Sequence, residues 1–155
     1  MNHNPLRIRA VEVLPMQCLR LTFEDGWVAK VNLSHWIAKT KLFTPLQQVE
    51  VFDLARVGDW GTSVVWVEDA IDMGADNLRN LAVEQDGGIG HERLINWMHK
   101  HSLTQERTAD AIGVSRRMLN YYLSGAKAIP KTVWLACLGW ETVGEVAGGV
   151  VASHS

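Results

Sequence analysis

The chain is predicted to fold as an α+β N-terminal domain, a small antiparallel sheet with short helices, followed by an all-α domain that contains a helix-turn-helix. Three observations carry that prediction. Apolar residues alternate with a period of two between Leu6 and Leu33, with an Asp25-Gly26 turn among them. The stretch Gln85-Asp86-Gly87-Gly88-Ile89-Gly90 is crowded with glycine, the composition of a flexible linker. Beyond it apolar residues recur at helical spacing, and two short helices meet at Gly113-Val114-Ser115. The expected organisation is an α+β domain over 1–84, a Gly-rich linker over 85–90, a helical domain over 91–147 and a flexible tail over 148–155.

In the first domain Leu6, Ile8 and Ala10, then Val11 and Val13, alternate with Arg7, Arg9 and Glu12, with one change of phase. Pro15 interrupts the first hairpin because it has no N–H to give a ladder. Cys18 to Phe23 sets Leu19, Leu21 and Phe23 against Arg20 and Thr22. Asp-Gly favours the tight turns that match strand twist, so Glu24-Asp25-Gly26 is expected to return the chain into a third strand from Trp27 to Leu33. His35 to Lys39 fits one or two helical turns, and Phe43 to Phe52, with Pro45 near its start, is ambiguous. Thr62 to Val67 is β by composition and follows a turn at Gly58-Asp59-Trp60-Gly61. Asp76 to Val83 reads as a helix capped near Asp72 or Asp76. Trp27, Trp36, Trp60 and Trp66 fall at strand or turn positions and are expected in the core.

The second domain reads as four helices: His91 to His101, Thr104 to Ile112, Ser115 to Ser124 and Pro130 to Val143. Thr104 is an N-cap, and Ala109 and Ile112 share one apolar face. Gly113 ends that helix, since glycine alone adopts the left-handed conformation without steric cost. Ser115 caps the next helix, Gly125 ends it after Ser124, and Pro130 suits a helical first turn, where its missing N–H is not needed. Trp97, Trp134 and Trp140 are expected in the helical core or at an interface.

Apolar residues make up 47% of the 155 and charged residues 21%, which describes a globular protein. No apolar run approaches the ~18 residues a membrane helix needs. The N-terminal stretch MNHNPLRIRA lacks an apolar signal core, so a cytoplasmic location is expected. Cys18 and Cys137 lie far apart in apolar contexts and are expected as buried, reduced thiols. Residues 1–90 carry 8 Lys+Arg against 12 Asp+Glu, whereas residues 91–140 carry 7 against 3. Only the C-terminal part is therefore suited to a polyanion. GxSxG, P-loop and CxxC motifs are all missing from the sequence. His99 and His101 fall on different helical faces, His91 with Glu92 lacks further ligands, and Asp69, Asp72 and Asp76 read as a solvated turn. Neither an enzyme nor a metal or cofactor site is expected.

The residues from 91 to 143 resemble the phage-repressor helix-turn-helix family, the lambda repressor, Cro and Xre group. The matching elements are Leu103-Thr104-Gln105, Ala109, Gly113-Val114-Ser115, Leu119, Ser124-Gly125 and Ile129-Pro130, in register without a gap. The resemblance implies a lambda-repressor-like domain whose recognition helix, 115–124, enters a DNA major groove. It puts Gln105 beside a phosphate, Arg116 and Arg117 at the first exposed positions of that helix, Asn120 and Tyr121 on the same side, and Leu119 and Tyr122 in the core. Many relatives bury an Arg–Glu pair where this chain has Met98 and Leu123, an exchange that preserves a fold.

Chemistry supports those positions independently. The arginine fork matches guanine O6 and N7, and two arginines at the positive end of a helix dipole are easier to understand if an anion is to be met. Arg116 and Arg117 lie about 100° apart, so at most one points straight at base edges and the other suits phosphate, in an order the sequence leaves open. Asn120 suits adenine or solvent, Tyr121 a thymine methyl, sugar or phosphate, or packing. Gln105 and Ser115 suit phosphate or local capping, and Lys127 and Lys131 suit the DNA backbone or a solvated surface.

The N-terminal part resembles a small bacterial family, domain of unknown function 2442, through Phe23-Glu24-Asp25-Gly26, Val28, Val31-Asn32-Leu33, Phe43-Thr44-Pro45-Leu46, Phe52, Val64-Val65-Trp66 and Leu78. Together the two resemblances imply a two-domain bacterial DNA-binding protein. The expected function is sequence-specific binding of double-stranded DNA by a homodimeric transcription regulator, repressor or activator. Apolar residues late in the chain (Trp134, Leu135, Leu138, Trp140, Val143) or the N-terminal sheet would supply the dimer contact. The alternative is an adaptor or antitoxin-like module in which the helical domain binds a protein; in either case the N-terminal domain is a second place for a protein partner.

Overall fold

Alternation along the first third of the chain becomes a three-stranded antiparallel sheet of β1 (Ile8–Leu14), β2 (Cys18–Phe23) and β3 (Val28–Asn32), with β2 in the centre. The structure, a computed structural model, describes residues 6–68 and 70–154, with side chains as far as Val143. The change of phase in the sequence is a register shift between Ile8 and Ala10, where an extra residue turns the following side chains to the other face. Pro15, Met16 and Gln17 close the first hairpin, with Met16 at φ 64° and Gln17 at φ 61°. The second hairpin turns at Asp25-Gly26, where the Trp27 N–H donates to the Asp25 carboxylate at 3.1 Å.

After β3 come α1 (Ser34–Lys39), a 3-10 stretch over Lys41–Gln47, and α2 (Val49–Phe52). A second antiparallel sheet follows, β4 (Arg56–Val57), β5 (Ser63–Trp66) and β6 (Ile71–Gly74), and then α3 (Ala75–Gln85). β5 matches the β-rich TSVVWV segment, whereas β4 and β6 go beyond the strands expected from sequence. α3 begins at Ala75 with Gly74 as its N-cap and no side-chain cap. Asp76 therefore sits inside the first turn, where its carboxylate faces the positive end of the helix, and Asp72 lies in β6. Gln85 closes α3 instead of opening a linker.

The core of this unit is Phe23, Leu19, Leu21, Leu33, Ile37, Leu46, Val64, Trp66 and Leu78, all at most 1% exposed. The Trp66 indole N–H donates to the buried Phe52 carbonyl at 3.0 Å. Trp27 and Trp36 pack against this core, partly buried. Trp60 corrects the expectation: it is 82% exposed, at φ 62°. Gly61 is what approaches the sheet there, so closely that a Cβ would lie 2.5 Å from the Ile8 carbonyl oxygen, and the neighbouring indole is turned outward.

α3 is fastened to the sheet by two long-range contacts. Arg79 forks onto the Asp25 carboxylate at 3.2 and 2.7 Å and stacks over the Phe23 and Trp27 rings at 4.7 and 4.6 Å. Burial works to raise the Asp25 carboxyl, but the Arg79 fork and the Trp27 N–H together hold it below the usual carboxylate range. The Gln85 amide accepts from the Asn32 N–H and donates to the Asn32 carbonyl, both at 2.8 Å.

The chain divides into two compact units, Met1–Gly87 and Gly88–Ser155. The second contains α4 (His91–Lys100), α5 (Gln105–Ile112), α6 (Arg116–Leu123) and α7 (Lys131–His154) around Leu94, Trp97, Ala109, Ile112, Leu119, Tyr122, Ile129, Val133 and Cys137. Burial pushes the Cys137 thiol up to about 11, so it is an inert packing group. α7 runs to His154, past Val143 and through most of the tail expected over 148–155, which corrects that expectation, and Asp69 of the expected solvated turn lies outside the described residues. Among the described residues no helix is long and apolar enough to cross a membrane, and no group of His, Cys, Asp or Glu is placed to hold a metal ion.

α4 and α7 are joined by a polar contact within an aromatic cluster. Glu141 lies 2.7 Å from the His101 Nε2 and accepts from the Trp97 indole at 2.9 Å, and Trp140 stands edge-on to both rings. Hydrogen bonding from His101, then from Trp97, holds the Glu141 carboxyl below its ordinary range. A depressed folded-state pKa gives stability that is full above the unfolded value and lost as pH falls through the folded one. The thermal midpoint of the helical unit is therefore expected to drop as pH falls below the ordinary glutamate value of about 4.3. Circular dichroism melts should show a shallower drop in Glu141→Gln; an identical pH profile would exclude Glu141 as its cause.

Candidate nucleic-acid interface

Two capped ends fix the path from α5 to α6. Thr104 Oγ1 accepts from the Arg107 N–H at 3.1 Å, which starts α5. Gly113, at φ 75°, stops it, and the N–H groups of Gly113 and Val114 both return to the Ala109 carbonyl, at 2.9 and 3.0 Å. Ser115 Oγ then accepts from the Met118 N–H at 3.0 Å and starts α6. The capping role of Ser115 is thus realised, and its O–H is still a donor toward anything in front of the helix.

α6 buries Leu119 and Tyr122 and packs Met118 and Leu123 partly against the same core, which leaves Arg116, Arg117 and Asn120 exposed. Met98 also packs there, so the positions of the relatives' ion pair are apolar and inside. The first turn of α6 contains no acidic residue to offset its two arginines.

Three of the expected residues are brought together. The Arg117 Nε–H donates to the Tyr121 hydroxyl at 3.1 Å, with the guanidinium carbon 5.7 Å from the ring centroid. The Lys127 ammonium lies 4.9 Å from the same ring, and the Lys127 N–H donates to the Tyr121 carbonyl at 3.2 Å. The hydrogen bond from Arg117, then its charge, lowers the Tyr121 hydroxyl below the ordinary phenol range. Gln105, at the start of α5, and Lys131, at the start of α7, are exposed and not joined to this group. The Arg117–Tyr121 contact was legible as an i, i+4 pair; the approach of Lys127 was not, because it depends on the turn at Gly125, φ 78°.

Fold and site together define a two-unit protein, an α+β unit followed by a helical unit with a cationic helix face. Residues 8–84 match the family described as "Protein of unknown function (DUF2442)". Among curated proteins none matches the chain. A crystal structure of a "Putative DNA Binding Protein" from Nitrosomonas europaea is similar at 39% identity and a TM-score of 0.82, over 91% of this chain and 90% of that one. The chain belongs to the same family as that protein, and its first unit is a DUF2442 domain. A similarity that wide takes in helical residues as well as the first unit.

Proposed function

We propose that this protein binds double-stranded DNA sequence-specifically and regulates transcription, with α5, the Gly113-Val114-Ser115 turn and α6 acting as a lambda-repressor-like helix-turn-helix. The observation that carries the proposal is the division of α6: Leu119 and Tyr122 anchor one side in the core, and Arg116, Arg117 and Asn120 stand exposed on the other. In that pose α6 lies in the major groove, and Gln105, Ser115, Lys127 and Lys131 meet phosphates beside it. The DNA-binding description of the Nitrosomonas europaea relative agrees with this reading. Two copies related by a two-fold axis read two half-sites. The exposed Leu135, Leu138 and Val143 on α7 suit the contact between them. The protein acts by binding in the cytoplasm, with neither a catalytic step nor a cofactor.

A gel shift of the full chain against a random duplex pool, at two salt concentrations, tests the proposal. Affinity is expected to fall steeply with salt, because each phosphate contact releases counterions. Replacing both Arg116 and Arg117 by Ala is expected to cost about 1–3 kcal/mol at each base that an arginine reads. Unchanged binding in the double variant would overturn the assignment. A salt-insensitive protein that shifts no duplex and copurifies with a protein would instead favour the adaptor or antitoxin-like role.

A further inference from the structure

We infer that Arg117 is the guanine-reading arginine of α6, held in place for that contact by Tyr121 and Lys127, and that Arg116 serves phosphate. The inference rests on the reading of α6 as a recognition helix, and it assigns roles within the arginine pair.

Arginine has five N–H donors. In Arg117 the Nε–H is taken by the Tyr121 hydroxyl at 3.1 Å, and the two terminal nitrogens have no protein partner among the described residues. Those terminal N–H groups are the fork that meets O6 and N7 of guanine end-on. The contact within the protein thus occupies a donor that an end-on approach does not use, and leaves both terminal nitrogens available. Tyr121 is in turn held by Lys127 at two points: its ring has the Lys127 ammonium at 4.9 Å and its carbonyl receives the Lys127 N–H at 3.2 Å. The lowered Tyr121 hydroxyl reports the same contact. Arg116, exposed like Arg117, differs in having no side-chain partner among the described residues. It must be ordered by its ligand, whereas Arg117 is ordered beforehand. Phosphate tolerates that latitude because it accepts from many directions, while a bidentate base contact does not. Tyr121 is accordingly a positioning residue and not itself a reader of bases.

The test is site selection from a random duplex pool by the full chain and by Arg116→Ala, Arg117→Ala and Tyr121→Phe. The wild type should select a site with a guanine position. Arg117→Ala should reduce preference for that guanine by about 5- to 140-fold. Tyr121→Phe keeps the ring and every charge, so its salt slope should match the wild type, while guanine preference falls about 2- to 12-fold through the rotamer freedom returned to Arg117. Arg116→Ala should weaken binding to all sequences alike and lower the salt slope by about 1. Replacing the selected guanine by 7-deazaguanine, which lacks the N7 acceptor, should weaken the wild type and leave Arg117→Ala unaffected. Full guanine preference in Tyr121→Phe would overturn the positioning role, and disappearance of the guanine preference in Arg116→Ala instead of Arg117→Ala would overturn the assignment. A wild type that enriches no sequence overturns the DNA-binding reading itself, an outcome distinct from both.

Discussion

Leu119→Ala is expected to destabilise the helical unit by about 2–5 kcal/mol, the range for removing a fully buried leucine from a packed core. Leu119 is 0% exposed and lies in one cluster with Leu94, Trp97, Ala109, Ile112 and Tyr122. It is also the residue that orients α6, so the same packing that stabilises the unit decides which residues stand outside. Thermal melts followed by circular dichroism should show the destabilisation as a lower midpoint. Duplex binding should persist well below the new midpoint and vanish as it is approached, although no residue of the exposed face has changed. Leu119→Met, which conserves volume, should cost less than about 1.5 kcal/mol. Arg116→Ala and Arg117→Ala should do the opposite of Leu119→Ala, reducing binding while leaving the midpoint in place. A midpoint unmoved in Leu119→Ala would contradict the core position assigned to it.

What the sequence reveals of this fold depends on whether an element announces itself locally. β2, β5 and the starts of α5 and α6 do, because alternation, β-branched composition, or a capping Thr104 or Ser115 lies within the element or at its start. β4 and β6 do not. β4 is two residues long, and β6 includes Asp72 and Gly74, types that strands disfavour; both are strands because β5 pairs with them. Trp60 shows the same limit from the other side. Its aromatic character argues for burial, but a close backbone approach between Gly61 and Ile8 decides otherwise. The Arg79–Asp25 and Gln85–Asn32 contacts span 54 and 53 residues, a separation no local period can report.

The site divides along the same line. Which residues of α6 face outward was legible through the resemblance to the phage-repressor family, which implies Leu119 and Tyr122 in the core. How they are held was legible for Arg117 and Tyr121, four residues apart on one face, and illegible for Lys127, which arrives through a loop. Tertiary placement thus separates the residues that could be named from those whose roles had to await the fold.

The largest expected destabilisation in the first unit is that of Trp66→Ala, at about 3–5 kcal/mol. Trp66 is fully buried, packs against Phe52 with ring centroids 5.9 Å apart, and gives its indole N–H to the Phe52 carbonyl. Two effects are therefore removed together, apolar packing and one of the two donors to a buried acceptor. Trp66→Phe separates them, because it keeps an aromatic ring while leaving the carbonyl with the Ala55 N–H alone, at 3.2 Å. That variant should cost about 0.5–1.5 kcal/mol for the lost hydrogen bond, plus a packing penalty for the smaller ring. Urea unfolding of the full chain should then rank wild type above Trp66→Phe and Trp66→Ala lowest. The transition need not be two-state in a protein of two units, so the midpoint of the phase that moves is the quantity to compare. Equal midpoints for Trp66→Phe and wild type would show that the Ala55 N–H alone satisfies the Phe52 carbonyl. Binding to duplex should be retained by both variants below their transitions, because the residues proposed to meet DNA belong to the other unit. If Trp66→Ala abolished binding while the helical unit stayed folded, the first unit would have to be given a part in recognition that the proposed function assigns to α6.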